Sequence, residues 1–176
     1  VISIAAGITT TFIEGFLPRA RVIRVMPNMA IKIKQGMTCL CRGKRAQEED
    51  LSWAQGVFNR LGHTLIIPEH MMDAATAISG SGPGYFFDLI EHKQELYKRQ
   101  PDELVSSFIL SLTQAAEELG FNQEDARLLA STTAQASSVL LHQSGDSPGR
   151  LRDQITSKGG TTEAGLTVLR NGGTLL

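Results

Sequence analysis

The sequence predicts a mixed α/β unit over residues 1–68, followed by an all-helical unit over residues 69–176. Before Pro68, short apolar runs typical of strands alternate with helical patterns. After Pro68 the strand patterns stop, and apolar residues recur at helical spacing. Several of the later helices are apolar over a wide arc, more than one small bundle can bury, so we expect an interface with another copy of the chain.

In the first unit the predicted order is strand, helix, strand, strand, helix, strand. The strands are residues 1–5, 21–26, 36–42 and 63–67, and the helices are residues 9–17 and 47–61. Pro18 is expected to end the first helix and Pro27 the second strand, because proline has no N–H to donate. Gly62 is expected to end the second helix.

In the second unit the predicted helices cover residues 71–78, residues from 85 onward, residues 102–119 and two segments that begin at Asn122 and Ser147. Asn122 is typical of a helix N-cap. Residues 79–84, Ser-Gly-Ser-Gly-Pro-Gly, are predicted to break the first two of these helices apart.

Composition argues against several classes of partner. The 176 residues carry a formal net charge of -1, which does not favour nucleic acid. The apolar runs are too short to span a bilayer, and no basic segment of a secretory signal opens the chain, so we expect no membrane association. Cys39 and Cys41 are predicted to be buried, reduced thiols of a cytoplasmic protein. The four histidines lack metal-ligand spacing, so no metal is expected.

Residues 151–166, Leu-Arg-Asp-Gln-Ile-Thr-Ser-Lys-Gly-Gly-Thr-Thr-Glu-Ala-Gly-Leu, indicate a small-anion site. Gly159 and Gly160 allow a sharp turn and a close ligand approach. The following Thr161 and Thr162 begin a helical pattern, whose N-terminal N–H groups suit an anion. The loop is short and lacks Walker spacing, which favours a carboxylate over a polyphosphate. The alternative is an ordinary turn and helix cap.

Two further stretches follow predicted strands. Ala5-Ala6-Gly7 and Pro27-Asn28 lie at strand carboxyl ends, where ligands bind in doubly wound sheets. Small residues there let a flat ring lie against the backbone, and the Asn28 amide can both donate and accept a hydrogen bond. The alternative is a pair of ordinary turns. The sequence contains no Gly-x-Gly-x-x-Gly phosphate turn.

Together these stretches resemble a known family. Residues 151–166 closely resemble the sequence signature of pyrroline-5-carboxylate reductase, and residues 4–8, 21–28 and 77–85 agree with that family in order and spacing. The resemblance implies the C-terminal part of a Rossmann-like NAD(P)-binding domain over residues 1–68. An all-α dimerisation and substrate-binding domain follows over residues 69–176, similar to the C-terminal domain of 6-phosphogluconate dehydrogenases. It also implies that the Gly-rich turn lies before residue 1.

The resemblance further implies an oxidoreductase of proline biosynthesis. Its expected reaction is hydride transfer from NADPH or NADH to 1-pyrroline-5-carboxylate, in a homodimer or a larger homo-oligomer. Thr162 is expected to act as the catalytic residue, with its hydroxyl near the substrate nitrogen. The substrate-binding residues implied are Ser157, Gly159, Gly160, Thr161 and Thr162, and the cofactor-binding residues implied are Ala5, Ala6, Gly7, Pro27 and Asn28.

The sequence departs from the family pattern at three places. Met29-Ala30 replaces the usual Thr-Pro, Lys158 stands where many relatives have Pro, and residues 86–118 form an unusually long segment. Two alternative functions remain open from the sequence. One is a non-catalytic dimerisation fragment, and the other is a related reductase that acts on another small imino or hydroxy acid.

Overall fold

The computed structural model describes residues 1–172, and its first part is a four-stranded mixed sheet. The strands β1 (Ile2–Ser3), β2 (Ile23–Pro27), β3 (Gly36–Arg42) and β4 (Gly62–Ile66) lie in that order across the sheet. The outer pairs, β1–β2 and β3–β4, are parallel, and the central pair, β2–β3, is antiparallel. All four predicted strands are present, although β1 has only two residues.

Two helices connect these strands at the predicted places. Helix α1 (Thr10–Phe16) begins after Thr9, whose hydroxyl accepts a hydrogen bond from the N–H of Phe12 at 3.1 Å. Helix α2 (Glu48–Phe58) ends three residues before the predicted residue 61. Leu51 and Ala54 are its buried residues and pack on the sheet.

The second part is helical, as predicted. Its regular helices are α3 (Met72–Ala75), α4 (Gly82–His92), α5 (Gln94–Arg99), α6 (Pro101–Glu118), α7 (Gln123–Ser144), α8 (Pro148–Ile155) and α9 (Thr161–Arg170). Asn122 and Ser147 cap α7 and α8: their side-chain oxygens accept from the N–H groups of Asp125 at 2.9 Å and Arg150 at 3.3 Å. Residues 173–176, the end of the predicted second domain, lie outside the described residues.

The predicted break at residues 79–84 is wrong. A π-helical turn (Thr76–Gly80) continues directly from α3, and Ser81 alone separates it from α4. The N–H of Ser81 still donates to the carbonyl of Thr76, at 2.8 Å. Pro83 is tolerated because it lies in the first turn of α4, where an N–H would have no intrahelical acceptor. In the π turn each hydrogen bond reaches back five residues instead of four, so the wider turn continues the helix instead of ending it.

The sheet packs between two apolar clusters. The larger cluster joins Met37 and Cys39 of β3 to the helices, with Phe86, Phe87 and Leu112 among its fully buried members. The smaller cluster packs α2 against β2 and β3. Cys39 and Cys41 are buried free thiols, as predicted, and burial raises the pKa of Cys39 to about 12. Across residues 1–172, no helix has the length and apolar character that a bilayer crossing requires.

Candidate active site

The Ser157–Gly160 turn leads from α8 into α9. The N–H of Gly160 donates to the carbonyl of Ser157 at 2.9 Å, and Gly159 has a positive φ of 72°. A Cβ at Gly160 would collide with the hydroxyl oxygen of Ser157. Both glycines are therefore required by the turn, one by its backbone conformation and the other by the close approach of Ser157.

The N–H groups of this turn are only partly available for a ligand carboxylate. The N–H of Gly160, predicted to bind the substrate, is engaged within the turn, and the N–H of Gly159 donates to the Glu163 carboxylate at 2.6 Å. Gly160 is the N-cap of α9 and has no side chain to cap the first turn. The N–H groups of Thr161 and Thr162 therefore remain at an uncapped helix N-terminus, where the helix dipole favours an anion.

Thr162 points away from solvent. Its side chain is only 6% exposed, and its hydroxyl donates to the hydroxyl of Ser81 at 3.0 Å. A Cβ at Gly84 would lie 2.5 Å from Cγ2 of Thr162, and a Cβ at Gly165 would collide with the Tyr85 hydroxyl. Because both positions are glycine, α4 and α9 come close enough to bring Ser81, Tyr85 and Thr162 together.

Ser81 and Tyr85 are the residues that the sequence analysis missed. Burial raises the pKa of the Tyr85 phenol, and the nearby Ser81 side chain partly offsets that rise. Both residues belong to the 77–85 stretch that carried the family resemblance, but residues 79–84 were interpreted as a helix break. No spacing rule links Ser81 to Thr162, because they are 81 residues apart.

The predicted cofactor residues lie at one edge of the sheet, because β1 and β2 are parallel neighbours. Asn28 is 4% exposed, and its side-chain oxygen accepts from the N–H groups of Ala30 at 3.2 Å and Met37 at 3.1 Å. Its side-chain nitrogen is buried and has no hydrogen-bond partner among the described residues. Asn28 thus fixes the turn after β2 and keeps one donor free.

The end of β2 also approaches the predicted substrate site. A Cβ at Gly80 would lie 2.9 Å from the terminal methyl group of Met26, next to Pro27. The π turn that ends at Gly80 leads directly to Ser81, the partner of Thr162. The structure therefore places the carboxyl end of β2 and the N-terminal end of α9 against the same helical turn.

Ala5, Ala6 and Gly7 form an exposed turn after β1, with Gly7 at a φ of 72°. The chain then enters α1, where both the N–H and the hydroxyl of Thr10 donate to the Glu69 carboxylate, at 2.6 and 2.7 Å. Buried Arg24 of β2 contacts Glu69 at 3.8 Å and Asp73 at 3.1 Å. These ion pairs hold the predicted cofactor edge against the start of the helical part.

A charged cluster fixes α8 and α9 to α4. Asp88 accepts hydrogen bonds from Arg152 at 3.1 Å and Arg170 at 2.5 Å, and Arg152 also contacts Glu91. Burial would raise the pKa of Asp88, but the two guanidinium groups outweigh it and hold that pKa below its ordinary value. An open cavity of about 450 Å³ lies beside this cluster and is lined in part by Tyr85.

The sequence matches one family of proteins with high coverage of the chain. Residues 104–175 match the family described as pyrroline-5-carboxylate reductase dimerisation. Pyrroline-5-carboxylate reductase of Methanosarcina acetivorans is 34% identical over 98% of this chain, and pyrroline-5-carboxylate reductase 2 of Bacillus subtilis is 35% identical over 97%. The chain is thus similar in sequence to pyrroline-5-carboxylate reductases over nearly its whole length. It covers 57% and 55% of these two reductases, so it spans little more than half their length.

Solved structures of reductases also match, with partial superposition. The Plasmodium falciparum pyrroline carboxylate reductase, whose structure has NADP bound, is 29% identical, with a TM-score of 0.48 over 98% of this chain and 62% of its own. The Coxiella burnetii pyrroline-5-carboxylate reductase is 30% identical, with a TM-score of 0.49 over 97% of this chain and 57% of its own. The sequence relatives confirm the resemblance. The roles of individual residues stay predictions.

Proposed function

We propose that this chain forms the substrate-binding part of a pyrroline-5-carboxylate reductase, which converts 1-pyrroline-5-carboxylate to L-proline. One observation carries the proposal: the N-terminus of α9 offers N–H groups that have no partner within residues 1–172, next to the buried hydroxyl of Thr162. The substrate has a carboxylate next to its ring nitrogen. The carboxylate can accept from these N–H groups while the ring nitrogen pairs with the Thr162 hydroxyl. Relatives that are 32–35% identical over nearly the whole chain carry this activity in their names.

In the proposed reaction the protein orients the substrate and supplies one hydrogen bond. Ser157 and the N–H groups at the start of α9 hold the carboxylate, and Thr162 directs its hydroxyl to the ring nitrogen. The imine carbon is already electrophilic, so proximity and orientation provide most of what the chain must contribute. No side chain of this site is required to form a covalent bond with the substrate.

NADPH or NADH supplies the hydride when bound. Ala5, Ala6 and Gly7 suit the nicotinamide end because they expose backbone without bulky side chains. Pro27 and Asn28 follow the neighbouring strand, and the unpartnered amide nitrogen of Asn28 is a donor that suits a carboxamide oxygen. The orphaned donor supports the assignment, because buried polar groups without partners are rare.

The proposed assembly is a homodimer, or a larger homo-oligomer built from it. The match of residues 104–175 to a dimerisation family supports it. Leu110 of α6 and Val168 of α9, both in that region, are 62% and 59% exposed, as expected for side chains that a second copy covers. The two buried free thiols support a cytoplasmic location, which is part of the proposal.

The first experiment is an assay of 1-pyrroline-5-carboxylate reduction with NADPH and NADH, alongside calorimetry of proline binding and the mass in solution. We expect saturable proline binding by a dimer and formation of L-proline. A better turnover of another imino or hydroxy acid would overturn the substrate assignment. A folded dimer that neither binds proline nor reduces the substrate would instead be a dimerisation module.

A second measurement tests the carboxylate site separately. Glu163→Gln keeps an oxygen that can accept from the N–H of Gly159 but removes a negative charge beside the ligand carboxylate. We expect tighter proline binding, by about two- to fivefold, from relief of like-charge repulsion. Weaker binding would mean that the Glu163 charge orders the turn, and that the carboxylate binds elsewhere.

A further inference from the structure

The carboxylate of Glu69 contacts both segments of the sheet that are predicted to bind the nicotinamide. Thr10, three residues after Gly7, donates to it from its N–H at 2.6 Å and from its hydroxyl at 2.7 Å. Arg24, three residues before Pro27, lies 3.8 Å from the same carboxylate. Thr10 and Arg24 are 2% and 3% exposed, so water screens these contacts only weakly. Glu69 therefore joins the segment after β1 to the segment before the end of β2.

A continuous helical path leads from Glu69 to the predicted substrate site. It consists of a 3₁₀ turn (Glu69–Met71), then α3, then the π turn. The N–H of Met72 donates to the carbonyl of Glu69, so Glu69 belongs to the hydrogen bonding of the path itself. Directly after the π turn, the hydroxyl of Ser81 accepts from the hydroxyl of Thr162 at 3.0 Å. Glu69 thus lies at one end of this path and the predicted catalytic residue at the other.

Asp73, in α3, is the weaker of the two acidic partners of Arg24. It pairs with Arg24 at 3.1 Å, but its side chain is 84% exposed, against 27% for Glu69. Exposed ion pairs contribute little, because water screens them and their side chains lose rotational freedom. The link from the sheet to the helical path therefore depends mainly on the Glu69 carboxylate.

We propose that Glu69 is a positioning residue, whose carboxylate fixes the distance between the nicotinamide site and the substrate site. This inference rests on the proposed reductase function, and it gives a role to a residue outside the predicted site. Hydride transfer needs reacting atoms about 3–3.5 Å apart, and a misplacement of about 1 Å can slow a reaction about 100-fold. A carboxylate that contacts both nicotinamide segments and begins the path to Ser81 holds all three in one arrangement.

The test measures single-turnover hydride transfer, followed by the absorbance of the reduced nicotinamide, in Glu69→Gln and Thr10→Val. Glu69→Gln keeps the size of the side chain but removes the charge near Arg24. Thr10→Val keeps the branched shape but removes the hydroxyl that bonds Glu69. We expect the rate constant to fall about tenfold or more in Glu69→Gln and about threefold or more in Thr10→Val. The two losses should not multiply in the double variant, because both substitutions weaken one link.

The rate constant separates positioning from stability. A smaller folded fraction lowers the amplitude of the absorbance change, but it leaves the rate constant of the folded molecules unchanged. Proline binding, measured by calorimetry, should stay within about twofold of wild type, because α4, α8 and α9 form the proposed substrate site. If Glu69→Gln does not fold, Thr10→Val is compared with Thr10→Ser, which keeps the hydroxyl and should retain the wild-type rate constant.

Glu14→Gln is the matched control. Glu14 is also in α1 and is 4% exposed, and it pairs with Arg45 at 3.3 Å, within the first unit. This variant should unfold more easily but transfer hydride at the wild-type rate constant. In an active reductase, a loss of amplitude alone in Glu69→Gln and Thr10→Val, or an equal loss of rate in Glu14→Gln, would overturn the inference. A wild-type protein that is inactive with both cofactors would overturn the proposed function, and this inference with it.

Discussion

Thr162 uses both branches of its side chain in the folded protein. Its methyl group lies against the backbone of Gly84, and its hydroxyl bonds Ser81, so the side chain has little freedom to rotate. A hydroxyl held in one orientation has little rotamer entropy left to lose when a ligand binds. This rigidity supports the role that the family resemblance implies for Thr162, a hydrogen bond to the substrate nitrogen.

Thr162→Ala removes that hydrogen bond. We expect kcat/KM to fall by one to two orders of magnitude, about 1–3 kcal/mol, the cost of losing a hydrogen bond to a charged group. Thr167→Ala is the control, because Thr167 is in the same helix and its hydroxyl only donates to the carbonyl of Glu163. Equal kinetics for the two variants would remove Thr162 from the catalytic site.

Asp88 gives the protein a predictable sensitivity to acid. Its folded pKa lies below the unfolded value of about 4, so its charge stabilises the fold above that pH, and this contribution is lost as the pH falls through the folded pKa. Asp88→Asn should lower the free energy of unfolding by about 1–2 kcal/mol at pH 7, with a difference from wild type that shrinks below pH 4. Thermal unfolding between pH 3 and 7 measures this.

Asp153→Asn is the comparison for that experiment. Asp153 also pairs with Arg152, at 2.9 Å, but its side chain is 71% exposed. Exposed ion pairs contribute little, so this variant should unfold within about 0.5 kcal/mol of wild type. If the free energies of unfolding of Asp88→Asn and wild type differed by the same amount at every pH, the effect would come from packing and not from the carboxylate charge.

At the scale of elements, the contact between α4 and α9 depends on two glycines that a sequence pattern does not single out. Gly84→Ala would place a methyl group 2.5 Å from Cγ2 of Thr162, a short β-branched side chain that cannot swing aside. We expect a loss of about 1–3 kcal/mol from overpacking, with reduced reductase activity because Thr162 is displaced from Ser81.

Gly56→Ala is the control for Gly84→Ala, and it should raise the free energy of unfolding instead of lowering it. Gly56 lies inside α2, and a Cβ there would meet no atom within 4 Å. The substitution should stabilise the protein by about 0.4–1 kcal/mol, because alanine restricts the unfolded chain. If chemical denaturation showed that both substitutions change the free energy of unfolding in the same direction, Gly84 would not be needed for the close packing of α4 on α9.

The helix segments also show which elements a pattern can find. Helix α6 was predicted within one residue at each end, because its apolar periodicity is long. The start of α7 was also predicted, because Asn122 is a clear N-cap. The π turn at Thr76–Gly80 was missed, because residues 79–84 have the composition of a loop. Buried neighbours on both sides of this segment keep it helical, a tertiary effect that local composition cannot show.

At the scale of the whole molecule, the exposed apolar side chains of the helical part point to an interface. Leu110→Glu places a charge on a side chain that is 62% exposed in the single chain and lies within the region matched to the dimerisation family. We expect the mass in solution to shift from dimer toward monomer, because a buried unpaired carboxylate is costly.

Trp53→Glu is the matched control for the dimer. Trp53 is 66% exposed, on α2 and outside the matched region, so its replacement should leave the mass unchanged. Analytical ultracentrifugation at several concentrations would distinguish the two variants. A wild-type protein that remains monomeric at all concentrations would contradict the proposed homodimer.

The sequence by itself determined the resemblance to pyrroline-5-carboxylate reductases, the order of strands and helices in the first unit and the loop that leads into α9. These are local properties: periodicity, caps and turn residues depend on neighbours in the chain, and residues 151–166 are distinctive as a linear pattern. Only the tertiary structure decided that Thr162 bonds Ser81, that Glu163 accepts from the N–H of Gly159, and that Asp88 lies between two arginines. The contacts of Thr162 and Asp88 join residues more than 60 positions apart, and such pairings are fixed by how helices pack, which no local pattern encodes.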